Sequence, residues 1–97
     1  MVVSIGHRGA SGYAPENTLL AFKKAMALGS EIVELDVQAL SDGTLVVIHD
    51  RTVARTTNGS GYLLDKTLQD LKKLDAGEGE KIPTLSEVLD VIDKKVQ

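Results

Sequence analysis

The order of apolar and polar positions along the chain already sketches an alternating strand–helix plan. Val2-Val3-Ser4-Ile5 is an apolar run too short for a helix, and it predicts a strand. Gly6-His7-Arg8-Gly9 ends it, and residues 10–17 follow as a loop punctuated by Gly12 and Pro15. Leu19, Phe22 and Met26 recur at helical spacing, which predicts a helix over about 18–28 with Gly29 at its C-terminal cap. Residues 32–38 alternate: Val33, Leu35 and Val37 share one face of a second strand, and Glu34 and Asp36 share the other. Residues 45–48 form a third, wholly apolar strand that ends in His49-Asp50. Residues 51–66 carry no period and predict an irregular excursion. Thr67…Asp70 and Thr84…Glu87 are capping signals ahead of two further helices, one over 67–74 and one from Leu85 onward. Leu68, Leu71 and Leu74 mark the core face of the first, and Leu85, Val88, Leu89 and Ile92 that of the second.

The link between the second and third strands constrains their pairing. Only 12 residues separate Asp36 from His49, about the minimum for a parallel crossover before any strand is counted, so an antiparallel hairpin is expected. Asp42-Gly43 suits a two-residue hairpin loop. That loop sets His49 directly opposite Asp36, where facing Cβ atoms lie about 5 Å apart.

Composition narrows the function. The 97 residues carry 11 Lys+Arg and 14 Asp+Glu, a formal charge of −3, which disfavours a general nucleic-acid surface. Aromatic residues are 3%, too few for base-stacking platforms. There is no apolar run near the roughly 20 residues of a membrane span, and no secretory leader is visible. The absence of cysteine removes disulfides, thiolate metal sites and a Cys nucleophile, and is read here with a reducing, cytoplasmic setting. Lys72-Lys73 and Lys94-Lys95 read as solvated faces. The Asn58-Gly59-Ser60-Gly61 stretch lacks the Lys-Ser/Thr of a nucleotide-binding loop.

The chemistry gathers at two places. His7-Arg8 stands at a strand end, and Glu34-x-Asp36 is followed by His49-Asp50. Two carboxylates on one strand face suit Mg²⁺ or Ca²⁺. Two histidines from different strand ends suit a general acid and a general base. An adjacent Arg suits phosphate. Together these are the parts of metal-assisted phosphodiester cleavage. Taken singly, each has a plainer explanation. His7 and Arg8 could be solvated, Glu34 and Asp36 the wet face of an amphipathic strand, and Glu16-Asn17 a helix cap. Asp50 either orients His49 or begins the loop, and Asn17 could also orient the site.

In this arrangement the chain resembles the glycerophosphodiester phosphodiesterase family. The resemblance rests on Gly6-His7-Arg8-Gly9, Pro15-Glu16-Asn17-Thr18, Glu34-Leu35-Asp36-Val37, Asp42-Gly43, His49-Asp50 and Arg55-Thr56-Thr57-Asn58-Gly59, in that order, continuing to Pro83-Thr84-Leu85. It implies an α/β fold: the N-terminal portion of a TIM (β/α)8 barrel, with one antiparallel strand and a small insertion, about 50–83, after the third strand. It implies hydrolysis of glycerophosphodiesters to glycerol 3-phosphate and an alcohol, by attack of the glycerol's own hydroxyl and then opening of the cyclic phosphate by water. Carried over, His7 and His49 are the catalytic acid–base pair, Arg8 holds the phosphate, and Glu34 and Asp36 bind a divalent metal, Mg²⁺ or Ca²⁺. Asn17 and Asp50 support them. The family's barrel has about 250 residues. Its further Glu-x-Lys strand, with a third metal ligand and a phosphate-binding Lys, has no counterpart in these 97 residues. The isolated chain is therefore expected to be inactive or nearly so, and to self-associate or pair with a missing C-terminal half. Two rival readings remain: a non-catalytic module that binds a phosphate headgroup or assembles with a partner, and a sphingomyelinase-D-like lyase with the same His and carboxylate set.

Overall fold

The computed structural model describes residues 5–6, 8–9, 12, 14–29 and 32–93. The predicted strand residues Val2, Val3 and Ser4 lie outside them, as do Lys94 and Lys95. Strand β1 (Ile5–Gly6) and strand β2 (Ile32–Val33) pair in parallel, Ile5 with Ile32 and Gly6 with Val33, and helix α1 (Leu19–Ala27) joins them. Strands β3 (Val37–Ala39) and β4 (Leu45–Val47) form an antiparallel hairpin. A 3-10 turn (Leu63–Asp65), helix α2 (Leu68–Lys72) and helix α3 (Leu85–Asp93) complete the order. The chain is thus α/β with one antiparallel strand, as expected.

Local signals explain the helices. Thr18 caps α1, its hydroxyl accepting from the Ala21 N–H at 3.2 Å and donating to the Pro15 carbonyl at 2.7 Å. A second amide of the first turn, that of Leu20, is satisfied from far along the chain by the Glu80 carboxylate at 2.8 Å. Both predicted capping boxes form, Thr67 with Asp70 and Thr84 with Glu87. Lys72 departs from its expected solvated role. Its ammonium donates to the Ile82 carbonyl at 2.9 Å and to Glu87 Oε1 at 2.6 Å, tying α2 to the start of α3.

Residues 32–38 do not form the single strand that their alternation suggests. Ile32–Val33 stays with β1, the chain leaves the ladder over 34–36, and Val37–Ala39 joins β4. The hairpin register also differs from the expected one. Ala39 pairs with Leu45, Gln38 with Val46 and Val37 with Val47, and the Ile48 N–H donates to the Asp36 carbonyl at 2.9 Å. Asp36 therefore faces Ile48, not His49. The cause is a loop of three residues rather than two. Leu40 and Thr44 close it, the Gly43 N–H bonds the Leu40 carbonyl, and Gly43 sits in the left-handed region at φ 89°. Asp42 Oδ1 accepts from the Thr44 N–H at 2.9 Å and fixes the turn.

The wholly apolar β4 divides two cores. Val46 and Ile48 pack with Leu40, Val53, Leu63, Leu71, Ala76 and Ile82, whereas Val47 packs with Phe22 of α1 and Val88 of α3. A strand buried on both faces carries no alternation, which is why its sequence reads as a continuous run. Residues 50–83 are accordingly not just an irregular loop, because they enclose the first of these cores. In α3, Val88 is buried and Leu85 and Ile92 are partly buried, but Leu89 is 44% exposed and leaves the predicted stripe. Asn58 is tied to Asp75, its Oδ1 accepting from the Asp75 N–H at 3.0 Å while its own N–H bonds the Asp75 carbonyl at 3.1 Å.

Gly9 packs the loop after β1 onto α1. A Cβ at this position would lie 2.7 Å from the Ala21 carbonyl carbon and 2.9 Å from the Phe22 nitrogen, and its φ is 75°. Gly12, by contrast, has open space around it. Gly9→Ala is expected to destabilise the fold by about 1–3 kcal/mol, and Gly12→Ala to stay within about 0.5 kcal/mol of wild type, by urea unfolding. Equal midpoints for the two variants would contradict this packing.

Candidate functional site

The site is assembled from strand ends. Arg8 follows β1, Asp36 follows β2, and His49 follows β4. The Gly9 N–H donates to the Glu34 carbonyl at 3.3 Å, which holds the first two ends together. Gln38 fixes the third: its side-chain amide donates to the carbonyls of Ile48, His49 and Asp50 at 3.3, 2.9 and 2.8 Å. Arg8 and Asn17 both adopt left-handed backbone, at φ 52° and 56°, and the Asn17 N–H bonds the Arg8 carbonyl at 2.8 Å. Such residues are uncommon outside glycine and persist where the surroundings over-determine them.

From here a chain of charges runs across the site. Asp36 Oδ2 accepts from Asn17 Nδ2 at 3.1 Å and lies 3.3 Å from Arg8 Nε. Arg8 Nη1 reaches Glu16 Oε2 at 3.2 Å. Arg55 Nη1 and Nη2 meet the two Glu16 oxygens, both at 2.8 Å. The other edge of the same guanidinium grips Asp50, Nε to Oδ2 at 2.8 Å and Nη2 to Oδ1 at 3.0 Å. Asp50 Oδ1 then bonds His49 Nδ1 at 2.8 Å. Asp50 is held far below the usual carboxylate range by Arg55 first and His49 second. Glu16 is lowered too, chiefly by the Arg55 hydrogen bonds acting against its burial, and Arg55 is raised by its two carboxylate partners.

The expected site residues are therefore distributed as follows. Arg8, Asn17 and Asp36 form one cluster, and His49 and Asp50 another, joined through Glu16 and Arg55. Glu34 lies on the stretch between β2 and β3 with an exposed side chain. His7 lies outside the described residues. The expected pairing of His49 with Asp36 is not found. The shifted register puts Ile48 opposite Asp36, and the partner of His49 is its neighbour Asp50. Asn17 does not cap α1. Thr18 does, and Asn17, 3% exposed, turns its amide to Asp36. Arg55 and Gln38 had no assigned role in the sequence, and Glu16 only that of a helix cap. The available signal was Arg55, which opens one of the segments that carry the family resemblance.

The donor set near Asp36 is oxygen-rich, the chemistry a hard divalent cation takes. Asn17 Oδ1 is buried and has no hydrogen-bond partner, and it belongs to the amide that bonds Asp36. With the Glu34 and Asp36 carboxylates it offers hard oxygen ligands of the kind Mg²⁺ and Ca²⁺ take, Mg²⁺ keeping several waters besides. Among the described residues no group of three His, Cys, Asp or Glu side chains closes on one point. The residues thus fit such an ion in kind.

The fold and the site define an α/β arrangement of charged groups on strand ends, and comparison with known proteins places it. Residues 7–97 match the glycerophosphoryl diester phosphodiesterase family. A glycerophosphodiester phosphodiesterase of Caldanaerobacter subterraneus is 57% identical over 94% of this chain and 40% of its own length. One of Bacillus subtilis is 44% identical over 96% of this chain and 37% of its own. An Oleispira antarctica phosphodiesterase, solved with the product sn-glycerol-3-phosphate, superimposes with a TM-score of 0.92 at 42% identity, over 98% of this chain and 41% of that one. The chain belongs to the glycerophosphoryl diester phosphodiesterase family, and its fold is the N-terminal portion of that family's TIM barrel. It spans about 40% of the length of these relatives.

The charge chain has a pH signature. Glu16 and Asp50 are both depressed from ordinary values of 4.5 and 3.8, so their contribution is complete above those values and is lost as the pH falls below them. Arg55 is half exposed, so water screens the pairs. Arg55→Gln is expected to cost about 1 kcal/mol at neutral pH, a gap that narrows as the pH falls below the ordinary carboxylate range, measured by urea unfolding at neutral and acid pH. A gap that persists in acid would mean that packing, not charge, is what the variant removes.

Proposed function

We propose that this chain carries the N-terminal part of an active site that hydrolyses glycerophosphodiesters to glycerol 3-phosphate and an alcohol with the help of a divalent metal. The observation that carries the reading is the convergence of Arg8, Asp36 and His49-Asp50 on strand C-terminal ends, the face on which barrels of this kind place their chemistry. In this reading Glu34, Asp36 and Asn17 Oδ1 hold Mg²⁺ or Ca²⁺. The bound ion supplies positive charge to the phosphoryl oxygens. Arg8 is the second positive group and orients the phosphate. His49 presents Nε2 to the substrate, since its Nδ1 is engaged by Asp50. It exchanges a proton with the attacking or leaving oxygen, and His7 serves the opposite oxygen.

Among the described residues no helix is long and apolar enough to cross a membrane, and the reading sets the activity in the cytoplasm. Val37 and Leu45 on one face of the hairpin, and Leu89 of α3, are 42%, 45% and 44% exposed. This face is proposed to be covered by further polypeptide, a second copy or the remainder of the barrel.

Release of glycerol 3-phosphate from glycerophosphocholine tests the reading. In a protein of the relatives' full length carrying these residues, activity is expected to vanish with chelator, and His49→Ala to lower it by about 10²–10⁴-fold. The 97-residue chain alone is expected to stay at or near background. Unchanged turnover in His49→Ala would refute the role given to this histidine.

A further inference from the structure

Arg55 belongs to none of the roles above, yet its guanidinium is the most fully engaged group in the site. One edge holds both oxygens of Glu16 and the other holds both oxygens of Asp50, with all four contacts between 2.8 and 3.0 Å. Glu16 lies 39 residues from Arg55 in sequence, on the loop that leads into α1. It is the less exposed partner, 17% against 49%, and is also tied to Arg8. The anchor is therefore Glu16, and the group being positioned is Asp50.

We infer that Arg55 is a positioning residue for His49: its two-edged grip on Glu16 and Asp50 fixes the Asp50 carboxylate so that the imidazole is held as the Nδ1–H tautomer with Nε2 presented outward. The inference rests on the proposed acid–base role of His49 for its functional meaning, but the geometry behind it does not. An ionised carboxylate only accepts hydrogen bonds, so the proton between His49 Nδ1 and Asp50 Oδ1 belongs to the ring. Asp50 Oδ1 receives both that N–H and Arg55 Nη2, so the guanidinium sets the position of the very oxygen the histidine uses. Asp50 is next to His49 in the chain, and its side chain alone can rotate away. The fork removes that freedom, because a planar guanidinium bonded along two edges has one orientation. A lysine in its place would supply the charge without the fork.

The chain contains two histidines, so long-range ¹H–¹⁵N spectra of the side chains assign His49 directly once His7→Gln is compared. At about pH 9, where imidazoles are neutral, wild type is expected to show the Nδ1–H form of His49 in excess. Arg55→Gln is expected to move the ratio toward Nε2–H by about tenfold, the worth of one hydrogen bond to a charged group. Arg55→Lys should fail to restore it. Lys72→Gln, which breaks the remote pair with Glu87, should leave the ratio unchanged. If Arg55→Gln does not fold, Glu16→Gln, which removes the anchor while Asp50 and Arg55 remain, should give a smaller shift in the same direction. A folded Arg55→Gln or Glu16→Gln with the wild-type ratio, or full restoration by lysine, would overturn the inference. Hydrolysis of glycerophosphocholine is scored separately. A missing activity in the protein of the relatives' full length, with the tautomer shift intact, would count against the proposed function alone.

Discussion

Beyond the exposed Leu45, β4 is covered on both faces, by the packing of Val46 and of Ile48 just past its end on one side and of Val47 on the other. Both coverings must therefore be present together: α1 and α3 on one side, the 50–83 stretch on the other. The backbone of the strand is claimed from two directions as well, by β3 through the hairpin ladder and by Pro83, whose carbonyl accepts from the Val47 N–H at 2.9 Å. His49 and Asp50 emerge from this strand at the point where its burial stops. Their position is as firm as the strand is, and Gln38 adds three hydrogen bonds to the carbonyls at that exit.

The charged groups around this exit are held by one another more than by the core. Two guanidinium groups alternate with three carboxylates from Asp36 to Asp50. Exposed pairs of this sort contribute little singly, and bidentate geometry with shared partners is what raises their worth. The left-handed conformations of Arg8 and Asn17 cost about 1–3 kcal/mol each, and they occur where both residues turn toward Asp36. The backbone is thus bent in favour of one carboxylate, a common trait of sites that bind or react.

What could be read from the sequence was local. Leu19, Phe22 and Met26 at helical spacing, and Thr84 ahead of Glu87, carry their own instructions within a few residues, and the structure follows them, with Thr18 in place of Glu16-Asn17 as the cap of the first helix. The parallel β1–β2 pair followed only from the barrel fold that the family resemblance implies, whereas the antiparallel hairpin was also legible, from spacing. The register was not, because Asp42-Gly43 suits loops of two and of three residues, and one residue of difference exchanges the faces. The split of 32–38 was hidden because alternation says which way side chains point and nothing of which neighbour each half chooses. Leu89 has core chemistry and core spacing, yet nothing among the described residues lies over it to bury it fully. For the candidate site, residue types at strand ends were visible, and the wiring was not. Arg55 and Glu16 find each other across 39 residues, a relation with no period and no spacing rule. Lys72 was misread for the same reason, since its carbonyl partner is ten residues away and its carboxylate fifteen.

The Glu80 carboxylate on the Leu20 amide joins groups 60 residues apart. A helix usually completes its first turn with its own neighbours, but α1 receives part of its N-terminal satisfaction from the end of the 50–83 stretch. That makes the stretch a working component of the parallel β1–α1–β2 unit rather than a decoration on it. Loop closure over so long a separation is slow compared with helix formation, so α1 reaches its finished state only after the chain has returned from its excursion. Shortening or exchanging that segment, as one would for an ordinary surface loop, would loosen the first helix and, with it, the loop that carries Glu16 and Asn17.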